Sequence, residues 1–175
     1  LVINEFMASN ISSVQDTSSG FVQYDDWVEL YNRGDIAINL GGYHLSDNEN
    51  VLDKWTFPDV EIQADDYLIV WLDKDDAAIS GIHTSFRLAA DGEELFLSTA
   101  NNFIIDALFY NSLPSDLGYA RVPNGKGPFV VQTHTFNANN SLGTSILENI
   151  NSQLHLYPNP TSDNLTIQIP YAQRI

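Results

Sequence analysis

The sequence contains no cysteine, so no disulfide framework and no thiolate zinc site can form. That absence does not identify a compartment. Basic residues are scarce: 7 stand against 23 acidic ones, a formal net charge of -16. Phosphate backbones are bound through basic patches that release counterions, so nucleic acid is not an expected partner. The same deficit disfavours anionic lipid and favours cations, or simply solubility outside a cell. No apolar run approaches the ~18 residues of a membrane span, so no membrane insertion is expected. Convincing helical periodicity is also lacking; only Ser145 to Gln153 allows a turn or two. The chain begins at Leu1 without a signal peptide and reads as a fragment or a processed form.

What is present is a series of short strands. The stretch Lys54 to Asp73 organises them. Val60 and Ile62 alternate with Glu61 and Gln63, the period of a strand with one wet face. A turn at Ala64-Asp65-Asp66 leads into Tyr67 to Leu72, which is apolar without a break. A strand apolar on both faces is expected to be central and covered on both sides, so the unit reads as a hairpin whose second strand runs through the core. Pro58 shifts the apolar phase and marks a bend or bulge.

Leu1 to Met7 and Asp26 to Asn32 read as further strands, separated by a long Ser-rich loop from Ala8 to Tyr24. Arg33-Gly34-Asp35 spells an adhesion tripeptide, but turn chemistry accounts for it. Ile36 to Leu40 and Tyr43 to Leu45 flank Gly41-Gly42. Thr84 to Leu88 and Glu93 to Ser98 read as a hairpin, and Phe103 to Tyr110 follows as another strand. Turn signals every 8–12 residues or so predict an all-β antiparallel sandwich over residues 1 to 135. Its expected core is Val28, Leu30, Phe57, Leu68, Val70, Phe86, Leu88, Leu95, Leu97 and Ile105.

Several motifs carry a resemblance to a known family. Phe57-Pro58, Ile62, Ala64 and Tyr67 to Trp71 resemble the centre of the lamin tail domain, as do Ser85-Phe86-Arg87-Leu88 and Gly92-Glu93-Glu94-Leu95. Asn4-Glu5-Phe6 and Trp27-Val28-Glu29-Leu30-Tyr31-Asn32 look like its first two strands. Asp116 to Gly125 resembles the segment that ends the bacterial version. The resemblance implies an immunoglobulin-like sandwich acting as a non-catalytic binding or scaffold module. In bacteria such modules are attached to secreted nucleases, other hydrolases and surface proteins. The filament role of the animal domain does not carry over, because the chain has neither a heptad rod nor a basic targeting run. In the tail, Leu156-Tyr157-Pro158-Asn159-Pro160-Thr161 and Asp163 to Ile167 look like the start of a type IX secretion sorting domain of Bacteroidetes. Residues 136 to 153 then read as a linker and 154 to 175 as the truncated start of that domain. These resemblances imply a secreted or cell-surface bacterial protein with a protein or polysaccharide partner. The alternatives are a carbohydrate-binding module, or an accessory domain of a secreted hydrolase or nuclease whose catalytic part lies outside this chain.

Candidate chemistry is sparse. There is no G-x-S-x-G elbow for a serine hydrolase. His44, His83, His134 and His155 are scattered and show no metal-ligand spacing. Asp25, Asp26, Asp47, Asp73 and Asp75 lie in acidic segments that could offer oxygen to calcium, though none matches an EF-hand. The bland reading is that these loops are solvated and no cofactor is needed. Among the tryptophans, Trp55 and Trp71 are expected in the core, whereas Trp27 is expected on an outer face, where it could stack on a sugar.

The candidate binding residues are Glu5, Trp27, Glu29, Tyr31 and Arg121. Glu29 alternates with core-facing Val28 and Leu30, so it points outward. If the first two strands pair, Glu5 and Glu29 meet on one face, where like charges need relief. Arg121 forking between them is the preferred expectation. Calcium with Asp25 or Asp26 is the second, and two separately solvated glutamates the third.

Overall fold

The computed structural model describes residues 1–75 and 80–141, and in the tail the backbone of 156–158 and 165–167. The described residues contain strands and turns and no helix. Strands β1 (Val2–Met7), β2 (Trp27–Asn32), β3 (Ile38–Asn39), β4 (His44–Ser46), β5 (Trp55–Thr56), β6 (Glu61–Ile62) and β7 (Asp66–Trp71) come first. They are followed by β8 (Gly92–Ser98), β9 (Ile104–Asn111), β10 (Gly118–Arg121) and β11 (Phe129–Gln132).

Two antiparallel sheets form an immunoglobulin-like sandwich. One has the order β11-β10-β1-β2-β7 and the other β5-β4-β8-β9, with β3 and β6 as a small accessory pair. The core between them follows from the period-2 pattern. The five-stranded sheet contributes Ile3, Phe6, Val28, Leu30 and Val70, and the four-stranded sheet Leu45, Leu95, Leu97 and Leu108. Eight of the ten expected core residues are buried; Leu68 and Ile105 are half-buried against the same cluster. At one edge of the core, Phe6 meets Tyr110, Tyr119 and Phe129 through tilted and edge-on ring contacts.

A bulge in β1 sets the geometry of the other face. Ile3 pairs with Leu30 and Glu5 with Glu29, leaving Asn4 as the extra residue. The bulge lets Ile3 and Phe6, three apart, both face inward, while Asn4, Glu5 and Met7 reach the opposite side.

Three expectations about strand pairing are corrected. Tyr67 to Leu72 does not run through the centre of its sheet. β7 is the last strand of the five, bonded to β2 over six register pairs, with isolated bridges from Trp71 to His83 and from Asp73 to Arg87 at its far edge. It is nonetheless apolar on both faces for a reason, because Phe136 packs over its outer residue Trp71. Nor does β6 pair with β7 across the Ala64–Asp66 turn; it pairs with β3, so the turn passes from one layer to another. Finally, Thr84 to Leu88 does not pair with β8, whose partners are β4 and β9.

The first compact unit runs from Leu1 to Ser141, beyond residue 135. Residues expected to begin a linker at 136 instead pack on the sandwich, as Phe136 and the buried Asn140 show. The second unit, Leu142–Ile175, contains strands β12 (Leu156–Pro158) and β13 (Leu165–Ile167), paired antiparallel. The helical turn expected at Ser145 to Gln153 lies outside the described residues.

Candidate functional site

The outer face of the five-stranded sheet collects nearly all the candidate residues. Register pairing aligns Trp27 with Trp71, Glu29 with Ile69 and Tyr31 with Tyr67, while Met7, Glu5 and Val2 lie opposite Trp27, Glu29 and Tyr31 on β1. A strand's alternate residues share a face, so this register puts one continuous strip on the side away from the core. The strip is not wet. Segment 133–140 and the loop from Val122 to Gly127 lie over it as a third layer, and Trp27, Glu5 and Glu29 have no exposed surface.

At its centre, Glu5 and Glu29 face each other directly. Neither is solvated, which removes the third expectation. Backbone and side chain of Thr135 donate to Glu5, the N–H at 3.0 Å and the hydroxyl at 2.8 Å. Asn4 Nδ2 donates to Glu29 at 2.8 Å, and the Asn137 N–H donates to it at 2.6 Å. Asn140 closes the network by donating to the Asn4 carbonyl at 3.0 Å. Burial pushes both carboxyls up to about 7, against the hydrogen bonds that favour their charged forms. Gly118 on β10 makes the space: a Cβ there would lie 2.0 Å from Glu5 Oε1.

Arg121 does not fork between these carboxylates. Ala120 pairs with Glu5, so Arg121 falls on the alternate, core-facing side of β10. There its guanidinium donates to both oxygens of Asp106 at 2.9 and 3.0 Å and to the Ile3 carbonyl at 2.8 Å, and lies over the Phe129 ring. It is a clasp between the two sheets.

Trp27 is also corrected. It is buried with Met7, Val14 and Trp71, and Phe136 meets it edge-on at 5.0 Å. The sequence identified its face correctly, but that face is covered, so Trp27 offers no platform to a sugar. Tyr31 is likewise engaged within the domain: its ring stacks on Tyr67 at 4.8 Å and its hydroxyl donates to Asp65. Trp55 is half-buried against Phe57 rather than enclosed in the core.

The acidic candidates separate into two places. Asp47 pairs with Lys54, whose ammonium also lies over the Phe86 ring. Asp25, Asp26 and Asp73 gather where β2 and β7 run on past the outer face. The antiparallel register continues through a bond from the Leu72 N–H to the Asp26 carbonyl, which brings Asp25 beside Asp73. Asp75 donates its N–H to Asp73 at 3.0 Å. Two residues that no motif signalled join this group. Asp16 comes from the long loop, held there by a bridge to Gln23, and His83 comes from the single bridge beside Trp71. Asp16, Asp73 and His83 are buried, at 3%, 4% and 8% exposure, with ligand atoms within 4.8 Å of one another. The sequence separations of 57 and 10 residues carry no recognisable spacing; only the meeting of three connections assembles them.

A different kind of surface occupies the loop between β1 and β2. Asp16 and Gln23 exchange backbone hydrogen bonds at 2.9 and 2.8 Å, making a small hairpin whose tip carries Phe21 and Val22, 78% and 57% exposed. Its base is fastened by Asp116, which accepts from the Ile11 and Ser12 N–H groups and the Ser12 hydroxyl.

Comparison with curated proteins and with solved structures returns no match. The family model of the lamin tail domain matches residues 1–112, which span β1 to β9 and include Glu5, Glu29, Asp16, Asp73 and His83. The sheet order, the buried core and this match together place the chain in the lamin tail domain family.

Proposed function

We propose that the chain is a non-catalytic binding or scaffold module of a secreted or cell-surface bacterial protein, and that it engages its partner through the loop between β1 and β2. The observation that carries this reading is the hairpin tip with Phe21 and Val22, apolar yet exposed, on a loop held in place by Asp116 and the Asp16–Gln23 bridge. Ordered loops on a rigid sandwich commonly carry recognition, and exposed apolar groups gain most from a partner that covers them. By contrast, the polar residues first considered for binding are consumed by bonds inside the domain.

The charge of -16 supports a partner other than nucleic acid. The resemblance of Tyr157 to Thr161 to a type IX sorting domain supports export, and the pairing of β12 with β13 is compatible with the start of a small β domain. The partner class is a protein or a polysaccharide.

The test measures binding of the parent and of the double variant Phe21→Ser, Val22→Ser to outer-membrane protein fractions and to a polysaccharide panel. The reading expects saturable binding that the double variant loses while its Tm stays within a degree or two of the parent. Binding unaffected by the double variant overturns the loop assignment. Protease digestion of intact source cells, followed with an antibody to this domain, tests location: protection until lysis rejects the surface.

A further inference from the structure

We propose that Asp16, Asp73 and His83 form a binding site for a first-row divalent transition-metal ion such as Zn2+.

His83 Nε2 lies 3.0 Å from the Ser80 carbonyl, which can only accept, so this nitrogen carries a proton. The neutral ring then presents a bare lone pair at Nδ1. That lone pair points at Asp73 Oδ2, 2.7 Å away, which is also an acceptor. Two lone pairs do not approach so closely without positive charge between them. At this distance the positive charge is a proton shared by the pair, carried by the ring or by Asp73; a metal ion would replace that proton, spread the two atoms and take both as ligands. A histidine whose other ring N–H is held by a backbone carbonyl is the usual arrangement of a metal ligand, because the bond fixes both tautomer and ring direction.

The surroundings favour the metal. A lone proton would satisfy one His–Asp pair, yet Asp16 adds a second buried carboxylate within 4.8 Å. Asp25 Oδ2 is buried and has no hydrogen-bond partner. The two carboxylates of the cluster are already oriented from behind: the Ser18 N–H and hydroxyl donate to Asp16 and the Asp75 N–H donates to Asp73. His83 further lines an open cleft of about 270 Å³ with Trp55, Pro58 and Ile82.

The donor set selects the ion. One imidazole nitrogen with carboxylate oxygens and no sulfur suits Zn2+, Mn2+ or Co2+. It does not suit Ca2+, which takes six to eight oxygens. Ligands at roughly 2.0–2.2 Å from a tetrahedral ion lie ~3.4 Å apart, so closing the cluster requires adjustments of about an ångström or less on each side chain. Such an ion would tie the β1–β2 loop to the end of β7.

The experiment uses the full chain stripped with chelator. Isothermal titration with Zn2+ should give saturable 1:1 binding, and Tm should rise with added Zn2+ but not with equimolar Ca2+. Co2+ should develop a visible d–d absorption band that Zn2+ displaces. His83→Gln and Asp16→Asn should each weaken Zn2+ more than about 10-fold. Asp16→Asn keeps the shape of the loop, so it serves as the arbiter should His83→Gln fold poorly by circular dichroism. Absence of 1:1 Zn2+ binding in the parent overturns the proposal in favour of an imidazolium–aspartate pair. Affinity unchanged in Asp16→Asn overturns it in favour of another histidine. Neither result bears on partner binding through Phe21 and Val22.

Discussion

Glu5 and Glu29 stand directly opposite each other across β1 and β2, both without exposed surface, and among the described residues no lysine or arginine is paired with either. Their partners are neutral: Asn4, Thr135 and the backbone of segment 133–140. This pair makes the third layer of the domain, because the donors that satisfy the two carboxyls are the same groups that hold the C-terminal segment against the sheet.

The pair should make stability depend on pH. In the unfolded chain these carboxyls titrate near 4.5, whereas in the folded protein both are raised to about 7. Between those values the folded state binds more protons, so stability falls as pH rises from about 4.5 to about 7 and is then level. Asp26, raised to about 6, has the same sign. At roughly 1.4 kcal/mol per pKa unit, rises of about 2.5 at each glutamate and about 2 at Asp26 bring the combined effect to at most the order of 10 kcal/mol. Thermal melts should show Tm lower at pH 8 than at pH 5 by roughly 5 °C or more. The variant Glu5→Gln, Glu29→Gln should show a flatter profile. A parent Tm that does not change over this range would mean that water reaches the carboxyls.

The C-terminal boundary can be located by truncation. A chain ending at Ser141 keeps Thr135, Phe136, Asn137 and Asn140, and should melt within about a degree of the parent. A chain ending at His134 loses their hydrogen bonds and the cover over Trp27 and Trp71. It should be less stable by at least ~2 kcal/mol in urea denaturation. Equal stabilities would show that the third layer adds nothing.

Gly118 should tolerate no side chain while Glu5 is present. The alanine Cβ would meet a carboxylate that Thr135 holds in place, with the His134 Cα 3.1 Å away on the other side. Gly118→Ala should cost about 1–3 kcal/mol. In a Glu5→Ser background the penalty should shrink by at least about 1 kcal/mol, the coupling expected of two groups in contact. Additive effects in the double-mutant cycle would assign the cost to the backbone of β10 instead.

Arg121→Ala should destabilise by roughly 2–4 kcal/mol, because it takes the cation from Asp106 and the donor from the Ile3 carbonyl at the junction of the two sheets. Arg121→Lys should recover only part of this loss, since an ammonium cannot engage Asp106 through two bonds and reach Ile3 as well. Full recovery by lysine would reduce the clasp to a simple charge effect.

Deep burial of Val70 should show in the same measurement. It has no exposed surface and lies opposite Val28, so Val70→Ala should cost about 1–3 kcal/mol. A loss within error of zero would contradict its place in the core.

Much of this was determined by the sequence itself. Alternation along Trp27–Asn32 and the unbroken apolar run of Tyr67 to Leu72 dictate strands, and period 2 assigns their side chains to faces, so the core around Val28, Leu30 and Val70 was legible. The same rule placed Glu5 and Glu29 together once β1 and β2 paired. What it cannot state is whether a face is wet. Trp27 and the two glutamates were assigned to the correct side, yet only the return of residues 133–140 over that side buries them. Parity likewise decided Arg121: with Ala120 opposite Glu5, the arginine turns inward to Asp106, a consequence of register that no local pattern reveals. The meeting of Asp16, Asp73 and His83 depends wholly on the tertiary structure, because it arises where a loop, a strand end and an isolated bridge converge. Local alternation is an intra-strand property, whereas cover, register and convergence are relations between segments far apart in the chain.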